Sequence, residues 1–113
     1  MKQLGDDAEA IAERYLATQG LVLVSRNYRC RFGEIDLVMK QGDTVVFIEV
    51  RMRSHSAFGG AAASINAAKQ QKLIRTAEYF LQQHGSAPCR FDAVLLNKLD
   101  TNKIEWIQDA FGA

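Results

Sequence analysis

Gly33-Glu34-Ile35-Asp36-Leu37-Val38-Met39-Lys40, then Gln41-Gly42-Asp43, then Thr44-Val45-Val46-Phe47-Ile48-Glu49-Val50-Arg51-Met52-Arg53 is the stretch on which the fold turns. Its first part alternates, with Ile35, Leu37 and Met39 toward one side and Glu34, Asp36 and Val38 toward the other. Its last part is dense in Val, Ile and Phe, and Gln41-Gly42-Asp43 makes a tight turn between the two. An antiparallel hairpin is predicted, with strands over 31–40 and 44–53. Side chains alternate across a strand, so Glu34 shares a face with Asp36, and Glu49 shares a face with Arg51. Turn length sets the register. A two-residue loop joins Lys40 to Asp43 and sets Glu34 opposite Glu49, whereas a four-residue loop joins Lys40 to Val45 and sets Asp36 opposite Glu49. Either way the carboxylates gather, their Cβ atoms within roughly 5 to 8 Å. Like charges so placed repel, and either a divalent cation or the Arg51 guanidinium is expected to neutralise them.

Outward from the hairpin, Ala8, Ile11, Ala12, Tyr15 and Leu16 fall on one helical face over 6–19, with Gly20 as a stop. Leu21-Val22-Leu23-Val24 opens a strand that reaches to about Asn27. On the other side, 54–63 has no periodicity and reads as a loop around Phe58-Gly59-Gly60, with His55 in it. Leu73, Ala77, Phe80 and Leu81 mark a second helix over 66–84, with Ser64 or Asn66 as N-cap and Gly85 as stop. A fourth strand follows Pro88 over 90–97, and 102–108 forms a short fifth strand containing Trp106. The order α-β-β-β-α-β-β packs most simply as an α/β fold, a mixed sheet with a helix on each face.

The chain has 113 residues, 48% of them hydrophobic, with 14 Lys+Arg against 13 Asp+Glu. One domain over 1–113 is expected, able to bury roughly 65% of its unfolded surface without help from a disulfide or structural metal. A net charge of +1 excludes a globally basic, histone-like binder but not a local basic face. Cys30 and Cys89 lack the spacing of a zinc site, and the first residues lack a secretory apolar segment. Free thiols in a cytoplasmic protein without membrane spans are expected.

Carboxylates converging on one site suit Mg²⁺ or Mn²⁺, which keep several waters and accept phosphate oxygens as further ligands. Glu9 lies at the border of the first helix's apolar face, where it could be aimed at the sheet edge. Arg29, Arg31, Arg53, Lys69 and Lys72, with Arg75 beside them, would give phosphate-backbone affinity without sequence readout. The plain alternative is a solvated face whose exposed ion pairs contribute about 0.2–1 kcal/mol each. Tyr28, Phe32 and Phe58 suit either stacking on unpaired bases or the core. Arg90 and Asp92 share a face of the fourth strand, as a structural ion pair would.

The runs Gly33-Glu34-Ile35-Asp36-Leu37-Val38 and Phe47-Ile48-Glu49-Val50-Arg51 resemble the D-(x)n-E-x-K signature of the restriction-endonuclease-like, PD-(D/E)xK, nucleases, whose element order is the same. More specifically, from about Gly5 to Phe111 the chain resembles the YraN-like family of bacterial proteins. The resemblance rests on Gly5 with Glu9 and Ala12, Asn27-Tyr28-Arg29, the two runs above, Phe58-Gly59-Gly60, Lys69, Arg90-Phe91-Asp92 and Glu105-Trp106-Ile107. It implies a restriction-endonuclease-like core with Asp36, Glu49 and the Val50 carbonyl as metal ligands. It further implies Glu9 as the acid of the first helix and Glu34 as a supporting partner. Where the signature has lysine, this sequence has Arg51, which can position and stabilise a phosphate but cannot act as a base. A divalent cation can lower the pKa of water without such a base.

Three functions fit. The first is a metal-dependent DNA endonuclease with Glu9, Asp36, Glu49 and Arg51 as catalytic residues, acting on branched or junction DNA by analogy with small members of the fold. The second is a nucleic-acid-binding module that keeps the fold without turnover, and the third a structural domain with a salt-bridged hairpin. A homodimer would let a junction-cutting enzyme place two sites symmetrically, although no heptad or apolar patch specifies one.

Overall fold

The computed structural model describes residues 4–53, 65–97 and 102–112. Helix α1 (Leu4–Thr18) is followed by strands β1 (Val22–Cys30), β2 (Gly33–Gln41) and β3 (Thr44–Arg53). Helix α2 (Ala67–His84) then leads to β4 (Cys89–Asn97) and β5 (Ile104–Phe111). The five strands form one sheet in chain order, with β3 and β4 parallel and the other neighbours antiparallel. Helix α2 makes the crossover that the parallel pair requires. This is the mixed α/β architecture and element order implied by the resemblance.

Each helix covers one face. Ala8, Ala12 and Leu16 of α1 pack on Leu37, Met39, Val46, Ile48, Val94 and Leu96, while Leu73, Ala77 and Phe80 of α2 pack on Ile35, Val38, Val45, Phe47, Phe91 and Leu95. Burial on both sides is why β3 and β4 read as nearly continuous apolar runs. The β2–β3 hairpin turns on two residues: Gln41 pairs with Thr44, and Gly42 takes φ 61°, the left-handed position that glycine occupies without penalty. Cys30 and Cys89 are both free, and among the described residues no helix is long and apolar enough to cross a membrane.

The expected alternation of β2 is corrected at Asp36. Leu37 and Met39 face α1, but Ile35 lies in the opposite cluster with Val38 and α2. The cause is a local break. Asn27, across the strand pair between Arg26–Leu37 and Tyr28–Ile35, has φ 51°, and Asp36 turns its carboxylate onto a backbone amide of β3. The same kink carries β1 on to Cys30, three residues past its expected end at Asn27.

A second carboxylate acts in the same way on the other face. Where the β4–β5 register shifts between Phe91 and Ala93, the fully buried Asp92 accepts from the Asp109 amide at 2.9 Å and from Trp106 Nε1 at 2.9 Å. Arg90 completes the cage with Nε 3.0 Å from Asp92 Oδ1. The expected Arg90–Asp92 ion pair is therefore present, buried on the α1 side of the sheet.

Candidate active site

The β2–β3 pairing runs from Gln41–Thr44 to Leu37–Ile48. One step beyond, Asp36 Oδ2 accepts from the Val50 amide at 2.8 Å, so a carboxylate takes the donor at the place where the strands fork. Continuing the register sets Asp36 opposite Glu49, the pairing predicted for a loop joining Lys40 to Val45. Ile48 belongs to the α1-side cluster and Val50 packs against it, so Glu49 between them points toward α2, and its side chain is only 6% exposed. Arg51, two residues on, follows the same face. Asn66 caps α2 by accepting from the Lys69 amide at 2.8 Å, which holds Lys69 in the first helical turn.

Both cations converge on one oxygen. Arg51 Nε lies 3.2 Å and Lys69 Nζ 3.6 Å from Glu49 Oε2. The Arg51 approach lacks hydrogen-bond alignment, and this buried Nε–H has no hydrogen-bond partner among the described residues. The Arg51 and Lys69 side chains are each 37% exposed and form the mouth of the site, with Glu49 at its floor.

Burial and then the charge of Asp36 push the Glu49 carboxyl up to about 7, against the pull of Lys69; a hydrogen bond with Asp36 raises it further and Arg51 opposes. A carboxyl raised above its unfolded value of 4.5 contributes stability that is complete below that value and is lost as pH rises through about 7. In EDTA, thermal melts should therefore show a melting temperature that falls by several degrees between pH 5 and pH 8.

Among the described residues no three carboxylate, imidazole or thiolate groups gather to hold a metal ion. The donor set is nevertheless one that Mg²⁺ accepts, since that ion commonly takes one or two carboxylates and completes its shell with water and phosphate. Asp36 and Glu49 supply the two. A strand residue directs its N–H and C=O to the same edge, so the Val50 carbonyl lies on the β2-facing edge with the amide that Asp36 holds. The unpartnered Arg51 donor calls for an acceptor oxygen beside the pair.

The other expected residues are distributed around this centre. Glu9 is half-buried on α1, and it does not form a three-acid group with Asp36 and Glu49. Helix α1 packs on the face opposite the one that Glu49 uses. Glu34 lies 3.5 Å from Arg29 as a cross-strand ion pair, which occupies both side chains at the surface. Arg31 lies over the Phe32 ring at 4.9 Å, and Lys72 is exposed on α2. The Arg53 side chain, His55 and Phe58-Gly59-Gly60 lie outside the described residues. Lys69, expected on a phosphate-binding surface, stands at the mouth of the site beside Glu49. Its signal was Asn66 three residues earlier, which fixes the start of the helix and turns Lys69 to the strand ends.

The family model described as "Uncharacterised protein family UPF0102" matches residues 8–96, which include Asp36, Glu49, Arg51 and Lys69. The chain belongs to the UPF0102 family. It is 80% identical to a UPF0102 protein of Methylobacillus flagellatus over 113 residues, covering 100% of both chains. It is 62% identical to a UPF0102 protein of Nitrosomonas europaea over 108 residues, covering 95% of this chain and 92% of that one. A UPF0102 protein of Pseudomonas aeruginosa is 50% identical over 115 residues, with 96% and 92% covered. The UPF0102 match thus spans the hairpin and the crossover helix that build the site, and this is the YraN-like family.

Proposed function

We propose that this UPF0102 protein is a metal-dependent endonuclease that hydrolyses phosphodiester bonds in DNA. The observation that carries the reading is the gathering of Asp36, Glu49, Arg51 and Lys69 around one strand fork, two acids below and two cations at the mouth. Asp36, Glu49 and the Val50 carbonyl would hold Mg²⁺ or Mn²⁺, which when bound supplies Lewis-acid polarisation of a phosphate oxygen and lowers the pKa of water. Arg51, at the mouth, presents the outer part of its planar fork to non-bridging phosphate oxygens. Lys69 brings from α2 the flexible ammonium that the signature places on the strand, and it orients the attacking water beside Glu49. The positive end of α2 favours a phosphate at the same mouth.

The test is cleavage of labelled duplex, single-stranded, flapped and four-way-junction DNA with Mg²⁺, Mn²⁺ or EDTA. Cutting is expected only with a cation, lost in Asp36→Ala and Glu49→Ala, and lowered about 100-fold in Lys69→Ala by removal of a transition-state donor. A second reading, a nucleic-acid-binding module without turnover, is favoured by Arg51 standing where the signature has lysine. On that reading the wild type retains DNA in a salt-sensitive gel shift, cuts nothing, and gains cleavage in Arg51→Lys.

A further inference from the structure

A groove of about 370 Å³ lies between the β1–β2 turn and α2, lined by Arg31, Phe32, Arg75, Glu78, Tyr79 and Gln82. Its walls are two half-buried rings, Phe32 and Tyr79, with centroids 6.2 Å apart in an edge arrangement. Arg31 covers the Phe32 ring from outside at 4.9 Å, and Arg75 stands exposed on the helix. Neither arginine forms an ion pair among the described residues. The groove is held in place by Gly33, at φ 154°, whose backbone leans so close to α2 that a Cβ would come within 3.2 Å of Thr76 Oγ1 and 3.7 Å of Lys72 Cβ.

The groove and the carboxylate site both draw on α2. Arg75 follows Lys69 by six residues and Tyr79 by ten, about 9 and 15 Å along the helix. Duplex DNA keeps its bases stacked and offers a protein its phosphates and groove edges, whereas an unpaired strand offers ring faces. Aromatic walls with an arginine stacked over one of them suit such a face, and two guanidinium groups without an ion pair among the described residues suit the phosphates on either side of it. Glu78 and Gln82 add acceptors for an exocyclic base amine.

We propose that this groove is a subsite for an unpaired DNA segment next to the phosphate held at Asp36 and Glu49, so that flapped or splayed DNA is the preferred substrate class. The assignment rests on the DNA reading above, but it is tested separately, by fluorescence anisotropy in EDTA with no cleavage. The probes are a labelled single strand, a flapped duplex and a blunt duplex. Wild type is expected to bind the first two more tightly than the third. Phe32→Leu, which keeps an apolar packing group but removes the ring, should weaken binding of the single strand and the flap about tenfold and leave the blunt duplex unchanged. If Phe32→Leu lowers the melting temperature, the exposed pair Arg31→Gln with Arg75→Gln decides: the loss is expected to be larger on the single strand and the flap than on the blunt duplex, and an equal loss on all three probes overturns the subsite. Unpaired DNA bound as tightly by both variants as by wild type overturns the subsite. Cleavage in Mn²⁺ reads the other site: a wild type that cuts nothing while groove variants lose flap binding overturns the nuclease reading alone, and a cutting wild type with unaffected groove variants overturns the subsite alone.

Discussion

Glu49→Gln is expected to give a protein that melts higher than wild type at pH 8 in EDTA and yet cleaves at least about 100-fold more slowly in Mn²⁺. The two effects have one cause. Glutamine mimics the protonated carboxyl that burial and the neighbouring Asp36 favour in the metal-free fold, so it removes the cost of ionising a group only 6% exposed. In the proposed metal site it would also remove one of two anionic oxygen donors, and with it several kcal/mol of charge stabilisation at the phosphate. Melts and rates on the same samples check it. A residue that merely braced the fold would lose stability on substitution, and a solvated surface acid would change neither. Stability gained together with activity lost is the signature of a site held under electrostatic strain for a ligand.

Asp92→Ala should do the reverse, costing about 3–5 kcal/mol of stability and leaving the cleavage chemistry untouched below the melting transition. Asp92 is fully buried and accepts from Arg90, from the Trp106 indole and from the Asp109 amide. Without it the Arg90 guanidinium, whose side chain is 19% exposed, keeps among the described residues only the Gln41 side-chain oxygen at 2.7 Å. The Trp106 and Asp109 donors lose their acceptor at the same time, in the β5 bulge where the ladder cannot supply one. At roughly 4 °C or more per kcal/mol for a chain of this size, the melting temperature should fall by at least about 12 °C. Circular dichroism melts check the loss. Asp92 is a buried acid on a central strand and on chemistry alone could pass for a catalytic group, but it serves the α1 face, across the sheet from Glu49.

Much of this was legible in the residues. Turn chemistry at Gly42 and β-branched density from Thr44 to Arg53 gave the hairpin, and β3 occupies the expected residues. The gathering of acids across that hairpin follows from period-two alternation, but the turn left two registers open, and the Gln41–Thr44 pairing decides for Asp36 opposite Glu49. What alternation could not give is its own interruption. Ile35 changes face because Asn27 adopts φ 51° and Asp36 abandons the strand's pattern to hold the Val50 amide. Asparagine is one of the few residues that take a positive φ readily, but neither that choice at Asn27 nor the aim of Asp36 follows from strand propensity. Lys69 was missed at the site for a related reason: a helical position has a direction only once the helix is docked, and the docking of α2 depends on Leu73, Ala77 and Phe80 finding the Phe47 face. Glu9 shows the converse, since a border position on α1 left its aim open until the packing face of that helix was known.

The fork between Asp36 and Glu49 is proposed as a divalent-cation site. Its most direct test is Mn²⁺ titration at pH 8 by calorimetry, on wild type, Asp36→Asn and Glu49→Gln, with circular dichroism to show that all three are folded. A single saturable site in wild type, absent from both variants, is the predicted result. Wild type that takes up no Mn²⁺, or variants that bind it as wild type does, would contradict the account.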